Sequence, residues 1–303
     1  MSTEQLRRVV ADAEDGLRLD VVLADWLQES RSRSQRRIAE AQVSVDGVGL
    51  PKSSRVETGQ TVVVMQAPEP SRPVPPTVDI LYRDHDVAVV AKPADLVVHD
   101  GTGVRGSTLV DALLAQGIPL APADDPTRPG IVHRLDRGTS GLLVVATSQL
   151  ALTRLREVFK AHDVVREYWT LVEGFPDPPT ATIDAPIVRS VSNRTSFTTG
   201  DGGRRAVTHY TTIAQHSDTA EVEVQLETGR THQVRVHLRA VGRPVAGDVV
   251  YGASPQRSRA LGLSRPALHA RRLAFDHPVS GQRIDVSQPL PDDLERARQL
   301  AAG

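Results

Sequence analysis

The chain of 303 residues contains no cysteine. That absence excludes disulfides, thiolate nucleophiles and cysteine-ligated zinc or iron–sulfur sites, so any chemistry must come from carboxylates, His, Ser, Tyr, Lys or Arg. No run of about 18 apolar residues occurs, and no membrane span is expected. The opening stretch Met1-Ser2-Thr3-Glu4-Gln5-Leu6-Arg7-Arg8 has no apolar segment after its basic pair, which argues against a secretion signal and for a cytoplasmic location. No Gly-Lys-Ser/Thr is present to build a phosphate loop. Lysine is scarce as well: of 36 basic residues, three are Lys52, Lys92 and Lys160, and the other 33 are arginine. A planar guanidinium suits phosphates and bases, but a GC-rich genome gives the same bias, so single arginines carry little weight. The net charge of −1 argues neither for nor against nucleic acid, which needs a local basic face and not a basic total.

What is present reads as a globular protein: 39% hydrophobic and 24% charged residues in a length about twice the commonest domain size. From Leu17 to Leu27 the apolar residues Leu19, Val22, Leu23, Trp26 and Leu27 follow helical spacing. A second helix is expected from Ser32, with Gln35 completing a capping box and Arg31, Arg33, Arg36 and Arg37 around its start. Val43 to Val48 alternates about an Asp-Gly turn, and Thr61 to Val64 reads as a strand. Pro68, Pro70, Pro73, Pro75 and Pro76 then crowd into nine positions, which favours an extended spacer. The expected organisation is a small domain over 1–67, a linker over 68–79 and a larger domain over 80–303.

In the larger part, Val87–Ala91, Gly141–Ala146 and Val164–Val172 read as buried strands, and Ser107–Ala115 and Leu150–Phe159 as helices. The mixture lacks a βαβ rhythm, so a doubly wound sheet is not indicated. Gly101-x-Gly103-x-x-Gly106 follows a possible strand, Leu96–His99, but the acidic residues about twenty positions on, Asp124 and Asp125, lie in a Pro-rich loop rather than at a strand end. These glycines read as a surface loop. His232 and His237 fall on a helix expected over His232–Val241, capped by Thr231; five residues separate their rings by about 140°, a poor metal site.

Asp136 has a distinctive setting in His133-Arg134-Leu135-Asp136-Arg137-Gly138-Thr139-Ser140-Gly141. Alone, an Asp bracketed by Arg134 and Arg137 reads as a structural ion pair or an Asx turn. Two features favour chemistry: an Arg-held carboxylate stays ionised, and glycine-rich backbone leaves room for close approach of a substrate. Gly229-Arg230-Thr231 closes a strand, Glu221–Leu226, against the helix that follows, so Arg230 is placed to pair with Asp136 or to hold a phosphate.

With these residues the sequence resembles the RluA/RluD family of large-subunit ribosomal RNA pseudouridine synthases. Ile131–Gly141 is similar to the family's catalytic block, Arg166-Glu167-Tyr168 to its Lys-x-Tyr block with Arg in place of Lys, and Leu226–Leu238 to its third block. Val90–Pro93, Gly247-Asp248, Tyr251-Gly252 and Leu268–Arg271 are further similar stretches, while Asp95 and Asp100 stand where Gly and Pro are common. The resemblance implies an α+β fold, with a mixed, mostly antiparallel sheet in the catalytic domain. A small α/β RNA-binding domain of the S-four type precedes it. It implies Asp136 as the essential carboxylate, Arg230 as its ion-pair partner, and Tyr168 as the platform for the target base and the late proton acceptor. Arg31, Arg33, Arg36, Arg37, Arg134 and Arg137 are the expected RNA contacts. No cofactor and no metal are expected. The expected partner is ribosomal RNA, with transfer RNA as a second option, and the expected state is a monomer without membrane association. The carboxylate has three openings, adding to C6, attacking C1′ or removing a sugar proton. The rival readings are a non-catalytic RNA-binding or ribosome-assembly factor and, more distantly, a nucleotide-dependent enzyme built on the Gly101 loop.

Overall fold

The computed structural model describes residues 4–29, 31–66, 73–101, 104, 106–191 and 196–303. The chain divides into two compact units, Met1–Arg72 and Pro73–Gly303. Of the expected linker, 68–72 lies outside the described residues, 73–78 is irregular, and a strand already begins at Asp79.

The first unit contains β1 (Glu4–Val9), α1 (Leu19–Trp26), α2 (Arg31–Ala39), β2 (Val43–Val45) and β3 (Thr61–Gln66). The strands form a sheet in the order β1-β3-β2, antiparallel throughout. Leu19, Val22 and Leu23 on one face of α1 pack with Val43, Val45, Val56, Val62 and Val64 to make its core. Asp46 and Gly47 have φ of 47° and 83°, the paired left-handed conformation of a two-residue hairpin turn. The start of α2 differs from expectation. The helix begins at Arg31, and the Gln35 amide donates to the Asp20 carboxylate at 2.6 Å instead of capping. Asp20 is fully buried, and its charge demands those donors together with Arg18 and Arg31.

The second unit runs β4 (Asp79–Arg83), β5 (Val87–Lys92), α3 (Leu109–Ala115), β6 (Ser140–Ala146), α4 (Gln149–Ala161), β7 (Val165–Glu173), β8 (Thr180–Asp184), β9 (Ile187–Arg189) and β10 (Phe197–Thr199). It continues with β11 (Val207–Gln215), β12 (Thr219–Leu226), α5 (Gln233–Ala240), α6 (Pro255–Ala260), β13 (Leu268–Asp276), β14 (Arg283–Ser287) and α7 (Asp292–Ala302). A nine-stranded sheet has the order β4-β5-β6-β13-β7-β12-β11-β8, with β14 on β13, and β9 pairs with β10 separately. Among the described strands only β6 and β13 pair in parallel, so the architecture is α+β with a mixed, mostly antiparallel sheet.

Alternation sorts the apolar runs onto two buried faces. Ala88, Val90, Leu143, Val145, Tyr168 and Val172 join one core with Val234 and Leu238 of α5. Val87, Val89, Leu142 and Val144 face the other way onto Leu152 and Leu155 of α4. Trp169 and Leu171 pack on Leu294, Ala297 and Ala301 of α7. The segment Leu96–His99 is not a strand, since only Val97 makes a single bridge, to Thr108. Helix α3 starts there with its own capping box, Thr108 with Asp111, whose carboxylate takes the place an anion would need.

Gly141, with φ of 118°, lies beside Ala270 of β13, and a Cβ there would sit 2.2 Å from the Ala270 carbonyl oxygen. The parallel β6–β13 contact therefore requires glycine. Gly141→Ala is expected to lower the unfolding free energy by about 3 kcal/mol or more, measured by urea titration; a loss under about 1 kcal/mol would contradict this packing.

Candidate active site

The turn that carries Asp136 enters β6, and Thr139 N–H closes it onto the Asp136 carbonyl oxygen at 3.1 Å. Two buried cations fasten it from behind. Lys92 Nζ donates to the carbonyls of Pro93, Leu96 and Arg137 at 2.7, 3.0 and 3.3 Å, and Arg265 Nη1 donates to that of Gly138 at 3.1 Å. Burial brings Lys92 down to about 7, against the pull of the Asp136 charge. The glycines of the turn pack on protein rather than opening space for a substrate: Gly138 lies against Pro266, and Gly141 against Ala270.

The strand order β6-β13-β7 carries Tyr168 to the same place, because Ala270 pairs with Gly141 on one side and with Tyr168 on the other. Asp136 and Tyr168 line one cavity of about 510 Å³, together with Arg134, Arg230, Thr231 and His232. Tyr168 is 7% exposed, and burial pushes its phenol up to about 12. Its neighbour Arg166 is buried and donates to the carbonyls of Leu226 and Glu227, tying β7 to the end of β12.

The cation beside Asp136 is Arg235, with Nη1 at 3.5 Å, and not Arg230. Arg230 turns its Nε to the Arg205 carbonyl at 3.0 Å. The correction has a helical cause. Thr231 does not cap α5; His232 occupies that position with φ of 57°, and Arg235 falls on the buried side of the first turn. There it makes a bidentate pair with Asp248 at 2.6 and 2.9 Å and lies 4.7 Å over the Tyr251 ring. Arg230 keeps a place on the cavity through its backbone: its N–H donates to Gln233 Oε1 at 2.9 Å, which also accepts from Thr228 Oγ1. Gln233 Nε2 donates in turn to Val207 O and Thr208 Oγ1, so this buried amide knits β11, β12 and α5 together.

The sequence profile of the family described as RNA pseudouridylate synthase matches residues 86–240. The chain is 40% identical over 301 residues to ribosomal large subunit pseudouridine synthase D of Xanthomonas campestris pv. campestris, covering 95% of this chain and 90% of that one. It is 37% identical over 304 residues to the protein of the same name from Escherichia coli O6:H1, with coverage of 96% and 92%. An RNA pseudouridine synthase of Mycobacterium bovis, named as uncharacterized, is 42% identical over 299 residues and 97% of each chain. Among solved structures, human RNA pseudouridylate synthase domain containing 4 superposes with a TM-score of 0.58 at 26% identity, over 73% of this chain and 92% of that one.

The chain belongs to the RNA pseudouridylate synthase family.

In this synthase Asp95, which stands where glycine is common, adopts the left-handed conformation with φ of 64° and donates its N–H to the Arg137 carbonyl at 2.8 Å. Aspartate tolerates that backbone better than most residues, so the loop keeps its turn. Of the expected RNA contacts in the second unit, Arg134 is exposed at the cavity, whereas Arg137 is exposed and 3.9 Å from Asp95. In the first unit Arg31 pairs with Asp20, and Arg33 and Arg37 with Glu29; Arg36 is exposed on the same helix. Arg235, Asp248, Tyr251 and Lys92 fall in stretches that resemble the family, but sequence reasoning assigned none of them a role. One clue was available: on a helix Arg235 shares a face with Leu238 three residues on, and a charge on an apolar face needs a buried partner.

His133, three residues before Asp136, stacks on Phe159 at 4.5 Å and accepts the Val144 N–H at Nε2, and burial brings it down to about 3. The unfolded chain binds this proton near 6.5 and the folded chain only near 3, so the contribution is complete above 6.5 and is lost as pH falls through that window. The stability difference between the synthase and its His133→Gln variant is expected to shrink from pH 7 to pH 4 in denaturant titrations; a pH-independent difference would contradict it. Asp248→Ala leaves Arg235 buried without its bidentate partner and is expected to cost about 3 to 5 kcal/mol of unfolding free energy. A cost under about 1 kcal/mol would show that the pair does not hold the site.

Proposed function

We propose that this synthase converts particular uridines of large-subunit ribosomal RNA to pseudouridine, with Asp136 as the initiating carboxylate and without a cofactor. The observation that carries the reading is the single cavity of about 510 Å³ in which Asp136 and Tyr168 meet, with Arg235 fixed 3.5 Å from the carboxylate. The relatives named for the large ribosomal subunit support the choice of RNA.

The reaction is an isomerisation. The N1–C1′ bond breaks, the uracil turns, C5 bonds to C1′, the C5 proton leaves and N1 gains one, with no net redox change. Asp136 acts as nucleophile or base at the start. The target base leaves its stack at a cost of a few kcal/mol, and the Tyr168 ring returns about 1 to 3 kcal/mol by stacking. With its phenol raised to about 12, Tyr168 is protonated at neutral pH. It therefore takes the C5 proton only while releasing its own, as a relay and not as a phenolate base. Arg235 orients the carboxylate, and Arg230 and Arg134 at the cavity are suited to phosphates.

Residues 4–66 serve in this reading as the RNA-docking module of the S-four type. Arg36 is its leading contact, because Arg31, Arg33 and Arg37 already face Asp20 and Glu29.

Tritium release from C5-labelled uridine in ribosomal RNA is expected with the wild-type protein and is expected to fall by at least about a thousandfold with Asp136→Asn. Equal release from both proteins would remove Asp136 from the chemistry, and RNA binding without release by the wild type would favour a silent assembly factor. Arg36→Glu is expected to weaken RNA binding and to reduce the slope of log affinity against log salt by about 1 to 2; an unchanged slope would remove α2 from the docking surface.

A further inference from the structure

His232 faces the cavity from the amino end of α5 and is not used by the steps above. Its backbone is left-handed, with φ of 57°, a conformation disfavoured for a residue with a Cβ, and its side chain caps nothing. A left-handed residue that contributes no cap marks a place to look for function. The ring stands edge-on between Phe197 and Tyr251, 5.6 Å from each. Its Nδ1 lies 2.8 Å from the Tyr251 hydroxyl oxygen.

That contact fixes the position of the imidazole proton. The Tyr251 oxygen already accepts the Phe197 N–H at 2.9 Å, and the side chain is 1% exposed, so the hydroxyl proton must itself find an acceptor. His232 Nδ1 is that acceptor. It is therefore unprotonated, and the proton of the neutral ring sits on Nε2, which has no protein partner among the described residues. Burial holds the imidazole below its ordinary range; Asp136 pulls the other way, and Arg235 adds to the lowering.

We propose that His232 is a catalytic residue of this isomerisation: a neutral imidazole whose Nε2–H holds a carbonyl oxygen of the uracil while the base is detached from the ribose. The inference rests on the reaction proposed above. Phosphates at this cavity are matched by the guanidiniums of Arg128, Arg134 and Arg230, and a neutral donor suits an acceptor whose charge exists only in passing. When N1–C1′ breaks, its electron pair stays on the base and spreads to the carbonyl oxygens. A donor already aligned there lowers the barrier without reorganising. His232 keeps its proton throughout. The pair returns to carbon as C5 bonds to C1′, the C5 proton departs, and N1 is protonated.

Two measurements test this on the full-length protein. In single-turnover pseudouridine formation, His232→Phe keeps a ring between Phe197 and Tyr251 but removes the donor. It is expected to slow the reaction about 100-fold with the RNA dissociation constant changed less than about twofold. His232→Gln, which restores an N–H, is expected to recover about tenfold of that loss. A His232→Phe rate within about threefold of wild type, a glutamine variant as slow as phenylalanine, or a dissociation constant that rises in step with the rate loss would overturn the proposal. Nitrogen-15 spectra of histidine-labelled protein without RNA are expected to show His232 as the neutral Nε2–H tautomer at pH 7; an imidazolium or the Nδ1–H form would overturn it. Failure here with Asp136→Asn still inactive sinks only the role of His232, whereas an inactive wild type sinks the reaction itself.

Discussion

A single buried guanidinium, that of Arg235, organises the site. Its charge is removed from water, and the structure compensates with two carboxylates of unequal closeness. Asp248 receives the two-pronged bond at 2.6 and 2.9 Å, and Asp136 the remaining nitrogen at 3.5 Å. The inequality has a chemical meaning. The tight pair fixes the cation, with the Tyr251 ring beneath it, while Asp136 is oriented by it without being locked into a bidentate bond. A carboxylate that must form or break bonds during a reaction is better served by the looser hold.

Everything around this contact restricts movement. Lys92 and Arg265 fix successive carbonyls of the turn that carries Asp136, and Gly141 lets β6 lie directly against β13. On the opposite wall Gln233 satisfies four partners at the junction of β11, β12 and α5, which places the Arg230 turn and leaves His232 at the head of the helix. These networks are buried and satisfied, so each removal exposes a polar group to an apolar surrounding. This scaffold accounts for how Asp136, Tyr168 and His232, from three separate segments, line one cavity, with Arg235 held 3.5 Å from the Asp136 carboxylate.

Much of the scaffold was legible in the sequence because its signals are local. Val87–Ala91 and Gly141–Ala146 are apolar runs covered on both faces, and Val164–Val172 is rich in β-branched and aromatic residues; such segments announce buried strands. Among the strands that went unread, β1, β8 and β11 mix polar residues with apolar ones, as in Glu4–Val9 and Thr180–Asp184; β4, β9, β10, β13 and β14 also went unread, β13 because His269, Arg271 and Arg272 interrupt its apolar run. Asp136 and Tyr168 stand in blocks that the sequence presents in order, and the structure brings them to one cavity. The partner of Asp136 was not legible. Arg230 and Arg235 lie in the same block, and choosing between them requires knowing where α5 begins. That start is set by a left-handed histidine, which the helical spacing of apolar residues does not announce. The capping-box role of Gln35 failed for a related reason, since the buried charge of Asp20 claims it; the Ser32 side chain lies outside the described residues.

What holds the site is the geometry of the Arg235 fork and not its charge alone. Lysine at this position keeps the charge but loses the planar, two-pronged hold on Asp248 and the fixed direction toward Asp136. The most direct measurement is single-turnover pseudouridine formation by Arg235→Lys at saturating RNA. A fall of at least about tenfold, about 1.4 kcal/mol, with RNA affinity unchanged is the predicted result; a wild-type rate would contradict the central role of the shared guanidinium.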